Sequence, residues 1–209
     1  MAAPQDGEIR HYQFPGRPGE CKIRLAAEGK GVDMRVVRLN IIRVGSEAFT
    51  DEDGPRLLAA VKEAAAIFAG SGLELVLGEF RNIGEKAAGG MDVIGGTDEE
   101  KDLTVKFATL LPGIDVFVVK AYAGGTVGSS PVCGRCFPAI PGQQIGVVVV
   151  LTPEATGKTL AHELGHYLGL EHMASPSTNV MYETVPKGFE LSEAQAVEMR
   201  HHHVVEKSP

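Results

Sequence analysis

The sequence predicts an α/β fold: a mixed, mainly parallel twisted sheet with helices above it, then a small irregular C-terminal part ending in a helix. Three observations carry this. Short β-branched runs alternate with helical patterns in the order strand, helix, strand, helix, strand, loop, strand, helix, which is how parallel strands with crossovers read. Beyond Gly169 the strand signals shrink to short pieces. Ser192 and Gln195 then stand at capping-box spacing and open a last helix towards His203.

Residues 1–33 read as an arm or irregular lead-in, broken by Pro15, Gly16, Pro18, Gly19, Gly29 and Gly31. Met34 to Val44 is the first strand. Thr50 and Asp53 have the spacing of a capping box, and Leu57, Val61, Ala64 and Phe68 give the following helix an apolar face up to Gly70. Leu73 to Phe80 is the second strand, residues 81–97 a Gly-rich surface loop, and residues 97–110 a second helix. Asp115 to Tyr122 is the third strand. Residues 123–143 form a long Gly- and Pro-containing loop of the kind that usually carries function. Ile145 to Leu151 is a buried strand and Thr156 to Leu168 a helix stopped by Gly169. The body therefore spans 34–209, with an upper part 34–169 and a lower part 170–209.

The chain has 209 residues, 44% of them hydrophobic, enough for a substantial core. Its formal net charge of -7 offers no basic stripe for phosphates, so nucleic acid is not an expected partner. No run approaches the roughly eighteen apolar residues of a membrane span. Residues 1–20 lack the apolar stretch of a signal peptide, which leaves a cytoplasmic protein or a trimmed mature form. Three cysteines, Cys21, Cys133 and Cys136, do not make a disulfide framework. A local Cys133–Cys136 disulfide bracing the loop, or free thiols, are the expectations.

The chemistry sits in His162-Glu163-Leu164-Gly165-His166-Tyr167-Leu168-Gly169-Leu170-Glu171-His172. His162 and His166 are four apart and share one helix face, so they can grip a single ion. Gly169 lets the chain turn back and His172 supply a third nitrogen. Three protein ligands leave one position open, the mark of a catalytic zinc site. Glu163 is the candidate general base. The five fixed positions recur by chance in such a chain with a probability on the order of 10⁻⁴. A third ligand from Glu190, Glu193 or Glu198 is the alternative arrangement.

This segment resembles the signature of the metzincin clan of metallopeptidases, H-E-x-x-H-x-x-G-x-x-H. Asn179-Val180-Met181-Tyr182 resembles the clan's methionine turn. The short gap to that turn and the closing helix are similar to matrixins. The strand Val147 to Leu151 leading into the motif is similar to pappalysin-type bacterial relatives. The resemblance implies a zinc metalloendopeptidase domain over 34–209, with Zn2+ on His162, His166 and His172, Glu163 as catalytic base and a protein or peptide substrate. It also implies a secreted or extracytoplasmic location. Residues 121–128 lie where such enzymes place the edge strand that pairs with substrate. A non-catalytic, zinc-stabilised scaffold is the competing class. Met173 after the third His matches no subfamily marker, and Glu183 stands where some subfamilies carry a metal-site Tyr. Pro131-Val132-Cys133-Gly134, like Cys21 in the arm, is only loosely similar to the cysteine switch of matrixins. His201 to His203 are expected to be exposed.

Overall fold

Strand formation here follows from burial on both faces. In the computed structural model, which describes residues 34–133, 144–152, 156–184 and 188–207, β1 is Arg35–Val44, α1 Asp53–Ala69, β2 Leu73–Ile83, α2 Glu85–Ala88, β3 Val93–Ile94, α3 Thr97–Phe107, β4 Ile114–Val119, β5 Ala121–Tyr122, β6 Gly128–Ser129, β7 Val147–Val150, α4 Thr156–Tyr167, α5 Glu193–Arg200 and β8 Val205–Lys207. The main sheet runs β2-β1-β4-β7-β6. Its pairs are parallel except β6 on β7. The short β8 lies antiparallel beside residues 35–37 of β1, where β4 has not yet begun. The expected mixed, mainly parallel sheet is present. The lead-in 1–33 lies outside the described residues.

Alternate residues of β4 and β7 feed two cores. Val116, Val118, Val147 and Val149 face α1 and α4, packing with Leu57, Phe68, Leu160 and Leu164. Phe117, Val119, Val148 and Val150 face the other side, with Leu103 of α3 and Ile94. A strand covered on both faces needs no polar alternation, which is why these runs are continuously apolar. The first core clamps α4 between sheet and α1, and α4 carries the motif.

Three local expectations change. Residues 81–97 are not a plain loop: β2 continues to Ile83, and α2 and β3 follow, because Ile83, Ala88 and Ile94 are buried in the second core. The third strand is split. After Val119 the Lys120 N–H donates to the Asp92 carbonyl at 2.7 Å, and Ala121–Tyr122 leave the main sheet to pair with β3. At the start of α1 only half a capping box forms: the Asp53 carboxylate accepts from the Thr50 N–H and hydroxyl at 2.8 and 3.2 Å, so that hydroxyl donates rather than caps. Ser192 and Gln195 make the complete box at α5. No helix among the described residues is long and apolar enough to cross a membrane.

His202 is a fourth departure. His201 and His203 are exposed as expected, but His202 is buried against Tyr167 of α4, with ring centroids 6.0 Å apart. Its Nε2 has no hydrogen-bond partner among the described residues. Burial lowers its pKa to about 4 from an ordinary 6.5, and the neighbouring His203 adds to this while Glu198 opposes it. The unfolded chain therefore takes up a proton that the folded one refuses. The stability from this group is complete above pH 6.5 and declines as pH falls towards about 4. Denaturant unfolding of His202→Leu across that range should show a shallower acid-side loss than the parent; an unchanged slope would remove His202 from the acid response.

Candidate metal centre

Helix α4 places its motif by packing the opposite face. Leu160 and Leu164, four apart, are fully buried in the first core. His162 and His166, offset from them, meet at the helix's other side. Gly165 is required there, since a Cβ would collide with the Met181 sulfur. Gly169, at φ +96, ends the helix: its N–H donates to the His166 carbonyl and that of Leu170 to the Gly165 carbonyl, both at 2.9 Å. The chain reverses and returns His172.

The three Nε2 atoms form a nearly equilateral triangle with sides of 3.0, 3.0 and 3.1 Å. Protonation explains what this triangle can do. The Nδ1 of His162 lies 2.7 Å from the Val180 carbonyl oxygen, and that of His166 lies 2.7 Å from the Leu170 carbonyl. A carbonyl only accepts, so each Nδ1 carries the hydrogen and, in the neutral ring, each Nε2 is a bare lone pair. Burial keeps both rings neutral, pushing His162 down to about 4 and His166 in the same direction. Bare nitrogens at 3.0 Å repel one another unless a cation lies between them. The cluster of His162, His166 and His172 can hold a metal ion, with His172 on the exposed side.

The turn beneath the cluster is itself held by side chains. Asn179 Oδ1 accepts the Met181 N–H at 2.9 Å. Its amide donates to Gln195 Oε1 at 2.8 Å, and Gln195 donates back at 3.1 Å. Gln195 is also the capping residue of α5, so one buried amide pair ties that helix to the turn whose Val180 carbonyl orients His162. Sequence reasoning found the cap and the turn but not the bond between them. Met181 is fully buried and packs rather than ligates. Tyr182 is half-buried and outside the cluster. Of the alternative third ligands, Glu190 accepts from Thr178 and Glu193 pairs with Arg200. Neither they nor Glu198 belong to the cluster.

Glu163 is 5% exposed and accepts no hydrogen bond among the described residues. Burial pushes its carboxyl up to about 8, and the charge of Glu100 adds to this. The edge strand β6 lies directly over it: a Cβ on Gly128 would stand 2.8 Å from Glu163 Cγ and 2.6 Å from Thr159 Cγ2. Cys133, just beyond β6, is a free thiol whose pKa burial raises to about 11. The expected Cys133–Cys136 disulfide turns on a partner that lies outside the described residues. Cys21 and Cys136 lie outside the described residues.

No family model and no curated protein matches the chain. Solved structures do match, among them metalloproteinase-II from Bacteroides fragilis, at a TM-score of 0.54 and 17% identity over 80% of this chain. The match covers 52% of that structure, so this chain spans about half its length. At this identity the likeness concerns the fold.

Asn179→Ala leaves all three imidazoles in place but frees the turn that orients His162. Its metal affinity, measured by chelator competition, should fall about 10–100-fold. Unchanged affinity would show that the amide pair does not support the cluster.

Proposed function

We propose that this chain is a zinc-dependent endopeptidase of the metzincin type, with His162, His166 and His172 as ligands and Glu163 as general base. The observation that carries the reading is the triangle of Nε2 atoms, bare on His162 and His166, with the buried Glu163 carboxyl next to His162 on the same helix. Zinc–nitrogen bonds of about 2.0–2.1 Å reach a common ion from the corners of such a triangle. The motif spacing, the buried Met181 turn and the fold likeness support the same reading. By the resemblance of its motif to the metzincins, its substrate is a protein or peptide outside the cytoplasm.

A bound zinc would supply Lewis-acid polarisation of the scissile carbonyl and a water acidified to near neutral pH. The chain's own residues do the rest. Glu163 removes a proton from the attacking water as its oxygen bonds to the carbonyl carbon. It then delivers that proton to the amine as the C–N bond breaks. The carbonyls of Val180 and Leu170 hold the imidazoles in the tautomer that keeps Nε2 free. β6 is the last strand of the sheet, so its outer edge can accept an extended peptide as a further strand beside Glu163. The scaffold alternative gives no reason for Glu163. A buried carboxyl without a hydrogen bond costs stability, and such groups are retained where chemistry uses them.

Unfolded casein should be cleaved by the zinc-loaded protein and spared when a chelator is present. Glu163→Ala should keep its zinc and its fold while hydrolysis falls roughly 10²–10⁴-fold. Near-normal turnover by the folded, zinc-loaded variant would refute the mechanism.

A further inference from the structure

We propose that Glu100 is a positioning residue for this site: it holds edge strand β6 against Glu163 by gripping both flanks of the segment that carries the strand. The consequence for hydrolysis rests on the peptidase reading; the grip itself does not.

Glu100 lies in the first turn of α3, on the far side of the sheet from α4, and is 1% exposed. Among the described residues no cation pairs with it. Among the described residues its two oxygens instead take one donor each. Tyr122, where the chain leaves β5 towards β6, donates its hydroxyl to Oε2 at 2.7 Å. Gln144, where the chain enters β7, donates its amide to Oε1 at 2.6 Å. These are short, charge-assisted bonds. The Gln144 amide nitrogen also lies 3.3 Å from the carbonyls of Ser129 and Gly146, so the same group touches β6 itself. Close by, the Ile145 N–H donates to Thr104 of α3 at 3.1 Å. The sequence between Tyr122 and Gln144 is thus pinned at both ends to one helix, and Glu100 is the shared anchor.

β6 needs that anchor. It pairs with β7 through only Gly128 and Ser129, with one more backbone bond from the Val150 N–H to the Val127 carbonyl at 2.9 Å. A ladder this short opens easily by itself. Yet β6 sets the clearance over the general base, because Gly128 has no Cβ and still comes within reach of Glu163 and Thr159. Displacement of β6 by about an ångström would misplace the carboxylate and any peptide aligned on the strand, an error that can cost about a hundredfold in rate.

The chemistry of the anchor makes a discriminating variant available. Glu100→Gln keeps an acceptor for Gln144, and the Tyr122 hydroxyl can rotate to accept from the new amide. Glu100→Ala loses both bonds. Hydrogen exchange over residues 126–133 of the zinc-loaded protein should be about tenfold faster in Glu100→Ala and near the parent in Glu100→Gln. With a peptide substrate, kcat/KM should fall at least about tenfold in Glu100→Ala and recover in Glu100→Gln, with zinc content unchanged throughout. If Glu100→Ala does not fold, Gln144→Ala removes one arm of the grip and should show the same pattern. Parent-like exchange over 126–133 in a folded Glu100→Ala or Gln144→Ala protein would overturn the proposal. So would equal losses in Glu100→Gln and Glu100→Ala. If the parent itself cleaves nothing, the peptidase reading fails and the exchange comparison alone decides whether Glu100 holds the strand.

Discussion

Two backbone carbonyls determine what the three imidazoles can do. By accepting from Nδ1 of His162 and His166, Val180 and Leu170 fix the tautomer that turns bare Nε2 lone pairs towards each other. Nearly everything else near the site serves to place those carbonyls. Gly169 releases the helix so that Leu170 folds back under His166, and the Asn179–Gln195 pair holds the turn that presents Val180. The cluster is thus assembled by elements on both sides of residue 170, and a cation between the bare His162 and His166 nitrogens, 3.0 Å apart, would relieve their repulsion. This is the sense in which a metal is written into the polar chemistry of the chain.

Glu163, the proposed general base, is governed by a different constraint, burial. Glu163 shares α4 with the imidazoles but sits under β6, largely buried and without a hydrogen bond among the described residues. Burial and the nearby Glu100 both favour its neutral form. A dication beside it works in the opposite direction, favouring the carboxylate that can take a proton. The state of Glu163 is therefore linked to whether the imidazole triangle is filled.

How much of this was legible depended on whether the cause was local. β1, α1 and the helix carrying the motif could be read because their apolar spacing reports burial directly. The motif itself was readable because His162, His166, Gly169 and His172 act through fixed helical geometry. The misreadings have non-local causes. Residues 81–97 look like a loop by their glycines, but Ile83, Ala88 and Ile94 find a second core that only the assembled sheet creates. Ala121 and Tyr122 continue a strand pattern, yet their partner is β3, a two-residue strand with no signal of its own. His202 sits in a polar run and is buried because the turn after α5 sets it against Tyr167. The carbonyls of Val180 and Leu170 leave no mark in side-chain identity at all, and Glu100 reads as one more acidic residue at a helix start. Asn179 and Gln195 were visible one at a time, each with a sufficient local role, which concealed their pairing.

The central claim is that three imidazoles and one open position make up the metal site. Zinc-edge X-ray absorption fine structure on the purified, metal-loaded chain tests it most directly. The expected first shell is three imidazole nitrogens and one oxygen at about 2.0–2.1 Å. A sulfur scatterer at about 2.3 Å, or fewer than three imidazoles, would contradict it.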